Sequence, residues 1–202
     1  MQDWLKVVLA AAFASACMPI RLMAQQSLPV QLNTSGMVEM SGHAKRYLVR
    51  HLPVSSFPEL PSAVRSELNR RGCLIPQTYE AQGPENVISA SLERRGSADW
   101  AVLCSAHGTA SLLVFFANAS APSVLASAPE TERLQADAAT GVLGFDWAIG
   151  AATPEQVHEA QAGMKRRPPL LVHDALADSL VDQKTVYRYY SENAWVVVET
   201  TN

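Results

Sequence analysis

Apolar and polar positions along the 202-residue chain fall mostly into short runs of period two, broken by a few stretches of helical period. Residues 45–54 alternate, with Tyr47 and Val49 on one face, and predict a strand. Leu60, Val64 and Leu68 then recur at i, i+4 and i+8. Pro61 and Ser62 open that helix, Arg70 and Arg71 occupy its last turn, and Gly72 suits the C′ position. Residues 86–92 read as a strand with small side chains on one face. Residues 99–105 and 111–116 read as a hairpin turning at His107-Gly108-Thr109. A strand around Phe145 and Trp147 falls within residues 141–149.

Thr153-Pro154-Glu155-Gln156 has a capping-box arrangement and predicts a helix to about Ala162, stopped by Gly163. A further short helix is expected from His173 to Val181. Residues 185–190 and 195–199 are aromatic and β-branched and should pair antiparallel. Residues 25–44 are polar and read as a loose lead-in. Residues 117–139, rich in Ala, Ser and Pro, read as a long surface connection. The resulting fold class is α+β: a mainly antiparallel sheet of hairpins with two or three short helices on one side.

The N-terminus adds a compartment. Lys6 precedes the apolar run at residues 7–16, which is too short for a bilayer that needs about 20 residues, and Pro19 and Arg21 block its extension. This reads as a secretory signal peptide. Two cleavage sites compete. Cleavage after Ala24, the favoured one, makes residues 1–24 the signal and 25–202 a single globular domain. Cleavage before Cys17 would leave that cysteine to carry a lipoprotein anchor. Residues 101–129 carry no formal charge besides that of a protonated His107, but polar residues and Pro122 divide them, so no transmembrane helix is expected in the mature chain.

Composition narrows the class further. With 48% hydrophobic and 17% charged residues and a net charge of −3, the chain is neither a disordered tail nor a basic nucleic-acid binder. Of its three cysteines, Cys73 and Cys104 remain once Cys17 is cleaved off or lipidated. In an oxidising compartment they are expected to form a disulfide. The rival reading makes Cys104 a nucleophile paired with His107.

RRGCLIPQTYE (70–80), ENVISASL (85–92), DWAVLCS (99–105), SLLVFF (111–116) and HDALADSLVDQKTVYRYYSENAWVVVE (173–199) together resemble a family of uncharacterised bacterial secreted proteins. The resemblance covers about half of the mature chain and implies export, with no reaction attached. The chain departs from the pattern at Ser191-Glu192-Asn193, where a glycine turn is expected.

Signatures for phosphate, dinucleotide or cofactor binding are missing, so no cofactor is expected. His158-Glu159 begins like a zinc-protease helix, but position 162 is Ala, which removes the second ligand. The strongest chemical candidates are His173, Asp174 and Asp178. On a helix, Asp174, Asp178 and Asp182 would stack on one face, either as a solvated ion-paired surface, a divalent-metal site, or a carboxylate orienting His173 as general acid or base. Trp100 is either a buried neighbour of the disulfide or a platform for ligand stacking. Arg70-Arg71 and Lys165-Arg166-Arg167 could form an anion patch, although helix-end charge and loop solubility account for them too.

The expectation is an exported soluble or envelope-associated binding or structural module acting on a protein or envelope partner, with no nucleic acid. One alternative is a small hydrolase using His173 with Asp174 or Asp178. A second is an exported inhibitor presenting residues 117–139 to a partner enzyme.

Overall fold

The computed structural model describes residues 32–117, 119, 121–164 and 167–199. The expected signal segment, both cleavage sites and Cys17 lie outside these residues, as do Lys165 and Arg166.

The described residues form thirteen strands and two α-helices. In chain order these are β1 (Leu32–Met40), β2 (His43–Pro53), α1 (Ser62–Arg70), β3 (Leu74–Gln77), β4 (Val87–Ala90), β5 (Asp99–Ala106), β6 (Thr109–Phe115) and β7 (Ser123–Pro129). Then follow β8 (Leu134–Ala136), β9 (Leu143–Phe145), β10 (Trp147–Ala152), α2 (Pro154–Ala160), β11 (Ala175–Leu180), β12 (Lys184–Ser191) and β13 (Ala194–Glu199). The larger sheet runs β7-β6-β5-β3-β2-β9-β8, with β1 added to β2 and β4 to β5. It is mixed, because β2 pairs with β9 in parallel through Tyr47↔Leu143 and Leu48↔Gly144. The smaller sheet, β10-β11-β12-β13, is antiparallel throughout.

Strand β5 explains the layering. Ala101 and Leu103 join a cluster that includes Trp147, Ile149 and Leu176 of the smaller sheet, whereas Val102 and Cys104 join one with Val64 and Leu68 of α1. Side chains alternate across a strand, so both faces of β5 are covered, and its apolar run is uninterrupted for that reason. A third cluster places Val157 of α2 against Ala175, Tyr189 and Val198 on the other face of the smaller sheet. The order of layers is therefore α1, large sheet, small sheet, α2. The helices cover opposite faces, not one side as expected, and the sheets are not built of hairpins alone.

Three local expectations are corrected. Residues 32–40 of the lead-in are a strand, closed onto β2 by a two-residue turn in which Ser41 and Gly42 both have positive φ. Residues 117–139 include β7, paired with β6, and the short β8. The helix expected over 173–181 is strand β11, with Ala175 and Leu176 buried on opposite faces. The α1 and capping-box helices form as expected. In α2, Thr153 Oγ1 accepts from Gln156 N at 3.3 Å while Gln156 Oε1 accepts from Thr153 N at 2.8 Å.

Candidate functional site: a groove beside the disulfide

Helix α1 lies over β5 and β6, and the strip between them is a groove of about 340 Å³. One wall is Pro61, Ala63, Val64 and Glu67. The other is Ala98, Trp100, Phe115, Phe116, Ala117 and Ala119. The register of the β5–β6 pair places Trp100 directly opposite Phe115, so two aromatic side chains share one face of the hairpin. Phe116 continues the aromatic surface, stacking on Trp195 (centroids 5.9 Å, planes 11° apart) and tilting against Tyr190 at 4.8 Å. Trp100 packs at the edge of the cluster that holds Cys73 and Cys104 while also lining the groove.

The disulfide fixes one end of this arrangement. Gly72 (φ +71) takes the left-handed conformation that ends α1, and the Cys73 N–H closes the turn onto the Leu68 carbonyl at 3.0 Å. Cys73 is then bonded to Cys104 of β5, with Cα atoms 5.0 Å apart. This commits the Cys104 sulfur to a structural bond and removes the thiolate that a Cys104–His107 nucleophile requires.

Asp99 fixes the other end. It is fully buried, 0% exposed. Its Oδ2 accepts from the backbone N–H groups of Leu92 (2.9 Å) and Glu93 (2.8 Å) and from the Ser97 hydroxyl. Its Oδ1 accepts from the Ala117 N–H at 2.9 Å. The buried carboxyl group thus ties the loop carrying Ala98 to the chain leaving β6, and both segments line the groove.

Glu67, which lines the groove, belongs to a compact charge cluster. Glu67 receives Arg70 Nε and a terminal Arg70 nitrogen, and Arg71 Nε, each at 2.7 Å. These hydrogen bonds, Arg70's first, lower its carboxyl to a pKa of about 2, so it is ionised at any ordinary pH.

The residues singled out from sequence go elsewhere. Asp174 exchanges two hydrogen bonds with Ser91, its N–H donating to the Ser91 carbonyl at 3.0 Å and its Oδ2 accepting from Ser91 N at 2.9 Å. Asp178 accepts from Trp147 Nε1 at 2.6 Å and from Arg188 Nε at 2.8 Å. Asp182 sits in the β11–β12 turn with φ +56 and accepts from the Tyr79 hydroxyl at 3.2 Å. The helical stack of three carboxylates does not exist, because residues 175–180 are extended. His173 Nδ1 lies 2.8 Å from the Asp174 carbonyl, not from a carboxylate.

Two other polar groupings were not visible in the sequence. Tyr79, Glu80, Gln135, Asp137 and Asp182 line an open cleft of about 590 Å³. There, burial first, and then the charges of Asp182 and Glu80, push the Tyr79 hydroxyl up to about 12. His51 of β2, Ser105 of β5 and Glu130 meet in the interior, with His51 Nε2 at 2.6 Å and Ser105 Oγ at 2.5 Å from the same Glu130 oxygen. Serine and histidine both point at the carboxylate, so the serine is not activated by the histidine as nucleophilic catalysis needs. All three are at most 5% exposed, which closes them to substrate. These partners lie 25 and 79 residues from Glu130, and no local pattern announces them. The one local signal at the groove itself is Asp99-Trp100, a carboxylate followed by an aromatic residue at the start of an apolar run.

Comparison with protein-family models, curated proteins and solved structures finds no match for this chain. Among the described residues, no helix is long and apolar enough to cross a membrane, and no group of three or more metal-ligating side chains converges.

Proposed function

We propose that this chain is an exported binding module and that the groove between α1 and the β5–β6 hairpin takes a small, mostly apolar molecule. The observation that carries this reading is the aromatic wall of Trp100, Phe115 and Phe116, facing a helix whose C-terminal end is tied down by the disulfide, while the buried Asp99 carboxyl fixes the segments that carry Ala98 and Ala117. Its volume falls at the lower end of the range typical of small-molecule sites, about 300–1,000 Å³. Export is supported by the leader-like N-terminus and the disulfide. The hydrolase reading draws no support from the site, since Asp174 and Asp178 are committed to hydrogen bonds that hold the fold.

The test is a titration of the folded protein with 2-naphthylmethanol, followed by NMR. The expected result is saturable shifts at Ala63, Val64, Trp100 and Phe115, reduced about tenfold in affinity or more by Trp100→Ala. Shifts spread over the surface without saturation would overturn the reading.

A further inference from the structure

Resting on that groove reading, we infer that the natural ligand is a small planar apolar molecule bearing one negative charge, its ring body against Trp100 and its anionic group at Arg71. Among the described residues, the lining of the groove contains a single ionisable side chain, Glu67. That carboxylate is shared by two guanidinium groups, so the Glu67–Arg70–Arg71 cluster carries a net charge of one positive unit and is joined to the otherwise apolar strip through Glu67. Arg70 spends Nε and one terminal nitrogen on Glu67 in a two-pronged contact. Arg71 spends only Nε, which leaves the two terminal nitrogens of a planar, permanently charged donor directed away from that bond. Arg71 also sits at the C-terminal end of α1, held by its N–H to the Glu67 carbonyl at 3.1 Å, so its backbone is fixed relative to the groove wall.

Charge complementarity therefore selects among apolar ligands. A neutral ring fills the groove but leaves the excess guanidinium charge facing water. A cationic ring meets the same charge and is disfavoured. An aromatic or similarly flat carboxylate satisfies both walls: apolar area against Trp100 and Val64, and a charge-assisted hydrogen bond at Arg71.

The test compares three probes of one shape on the full chain at low ionic strength: 2-naphthoate, 2-naphthylmethanol and 2-naphthylmethylamine. Naphthoate should bind up to about fivefold more tightly than the alcohol, the size of one partly exposed ion pair, with the amine weakest. Arg71→Gln should abolish that advantage, bringing naphthoate and alcohol to equal affinity, and added salt should shrink it. Arg65→Gln removes an equal charge from the same helix, away from Glu67, and should leave the advantage intact. Equal binding of naphthoate and alcohol, or an advantage that survives Arg71→Gln, overturns the anionic-ligand inference and leaves the groove reading standing. Failure of all three probes to shift groove residues overturns both.

Discussion

At the scale of single residues, the buried carboxylates do most of the organising. Asp99 accepts four hydrogen bonds in a fully buried position, so Asp99→Ala leaves three backbone N–H groups and a hydroxyl without their acceptor. The Leu92 N–H is the buried one of these donors, and leaving a buried donor unsatisfied costs about 1–3 kcal/mol, so the variant should lose at least about 1 kcal/mol in denaturant unfolding. Glu130 behaves differently because it titrates against its surroundings. Burial opposes its ionisation, but the hydrogen bonds from His51 and Ser105 outweigh burial and hold its carboxyl below the usual glutamate range. A depressed folded-state pKa contributes stability above the unfolded-state value and loses it as pH falls through the folded-state value. Stability should therefore decline on acidification below about pH 4, and the decline should be shallower in Glu130→Gln. Unfolding free energies measured from pH 7 to 3 check this; parallel curves for the two proteins would refute it.

At the scale of elements, the contrast between α1 and β11 shows what the sequence can express. The apolar stripe of α1 and the capping box of α2 are local signals, and both helices form where those signals place them. Strand β11 is an Ala-Asp-Ser segment of weak strand preference, and its Asp178 happens to fall at helical spacing from Asp174 before it and Asp182 after it. It is extended because β10 and β12 pair with it on both sides and because Asp178 finds Trp147 and Arg188 across them. Those partners are 31 and 10 residues away, so tertiary pairing overrides the local pattern. Strand β7 was hidden for a related reason: as an edge strand it needs few large side chains, and its Ala and Ser residues look like a loop. The turn Glu192-Asn193 supplies the two positive φ values that a tight hairpin demands, although the resemblance suggested glycine there. The disulfide between the end of α1 and β5 spans 31 residues, and Cys73→Ala/Cys104→Ala should lower stability by about 3 kcal/mol. The same measurement on the wild-type protein with reductant should give a comparable loss; no loss in either case would show that the helix is held by packing alone.

At the scale of the molecule, the two sheets are joined by polar links as well as apolar packing. Buried Asn86, at φ +67, donates to the Pro76 carbonyl (2.8 Å) and the Trp147 carbonyl (3.2 Å) and accepts from Ile149 N (3.0 Å), so one side chain connects β3 to β10. The Asp174–Ser91 pair makes a second link between the segments that lead into β11 and out of β4. Neither link is legible in the sequence, where the partners are 10 to 83 residues apart. The consequence is cooperativity: tryptophan fluorescence and far-ultraviolet circular dichroism should report one coincident unfolding transition. In Asn86→Ala the midpoint should fall, and two separated transitions in the wild-type protein would contradict the coupling.

The parallel pairing of β2 with β9 also sets a schedule. It joins residues 47 and 48 to residues 143 and 144, so the larger sheet stays open along that seam until nearly three-quarters of the chain is available. Contacts of such long sequence separation are formed late and slowly. An N-terminal fragment ending before β9 would carry α1, the disulfide and the aromatic hairpin, yet would leave one side of β2 without its parallel neighbour. During synthesis the nascent chain therefore passes through a long interval as a half-built sheet with an open seam, the form most exposed to proteases and to mispairing with other chains.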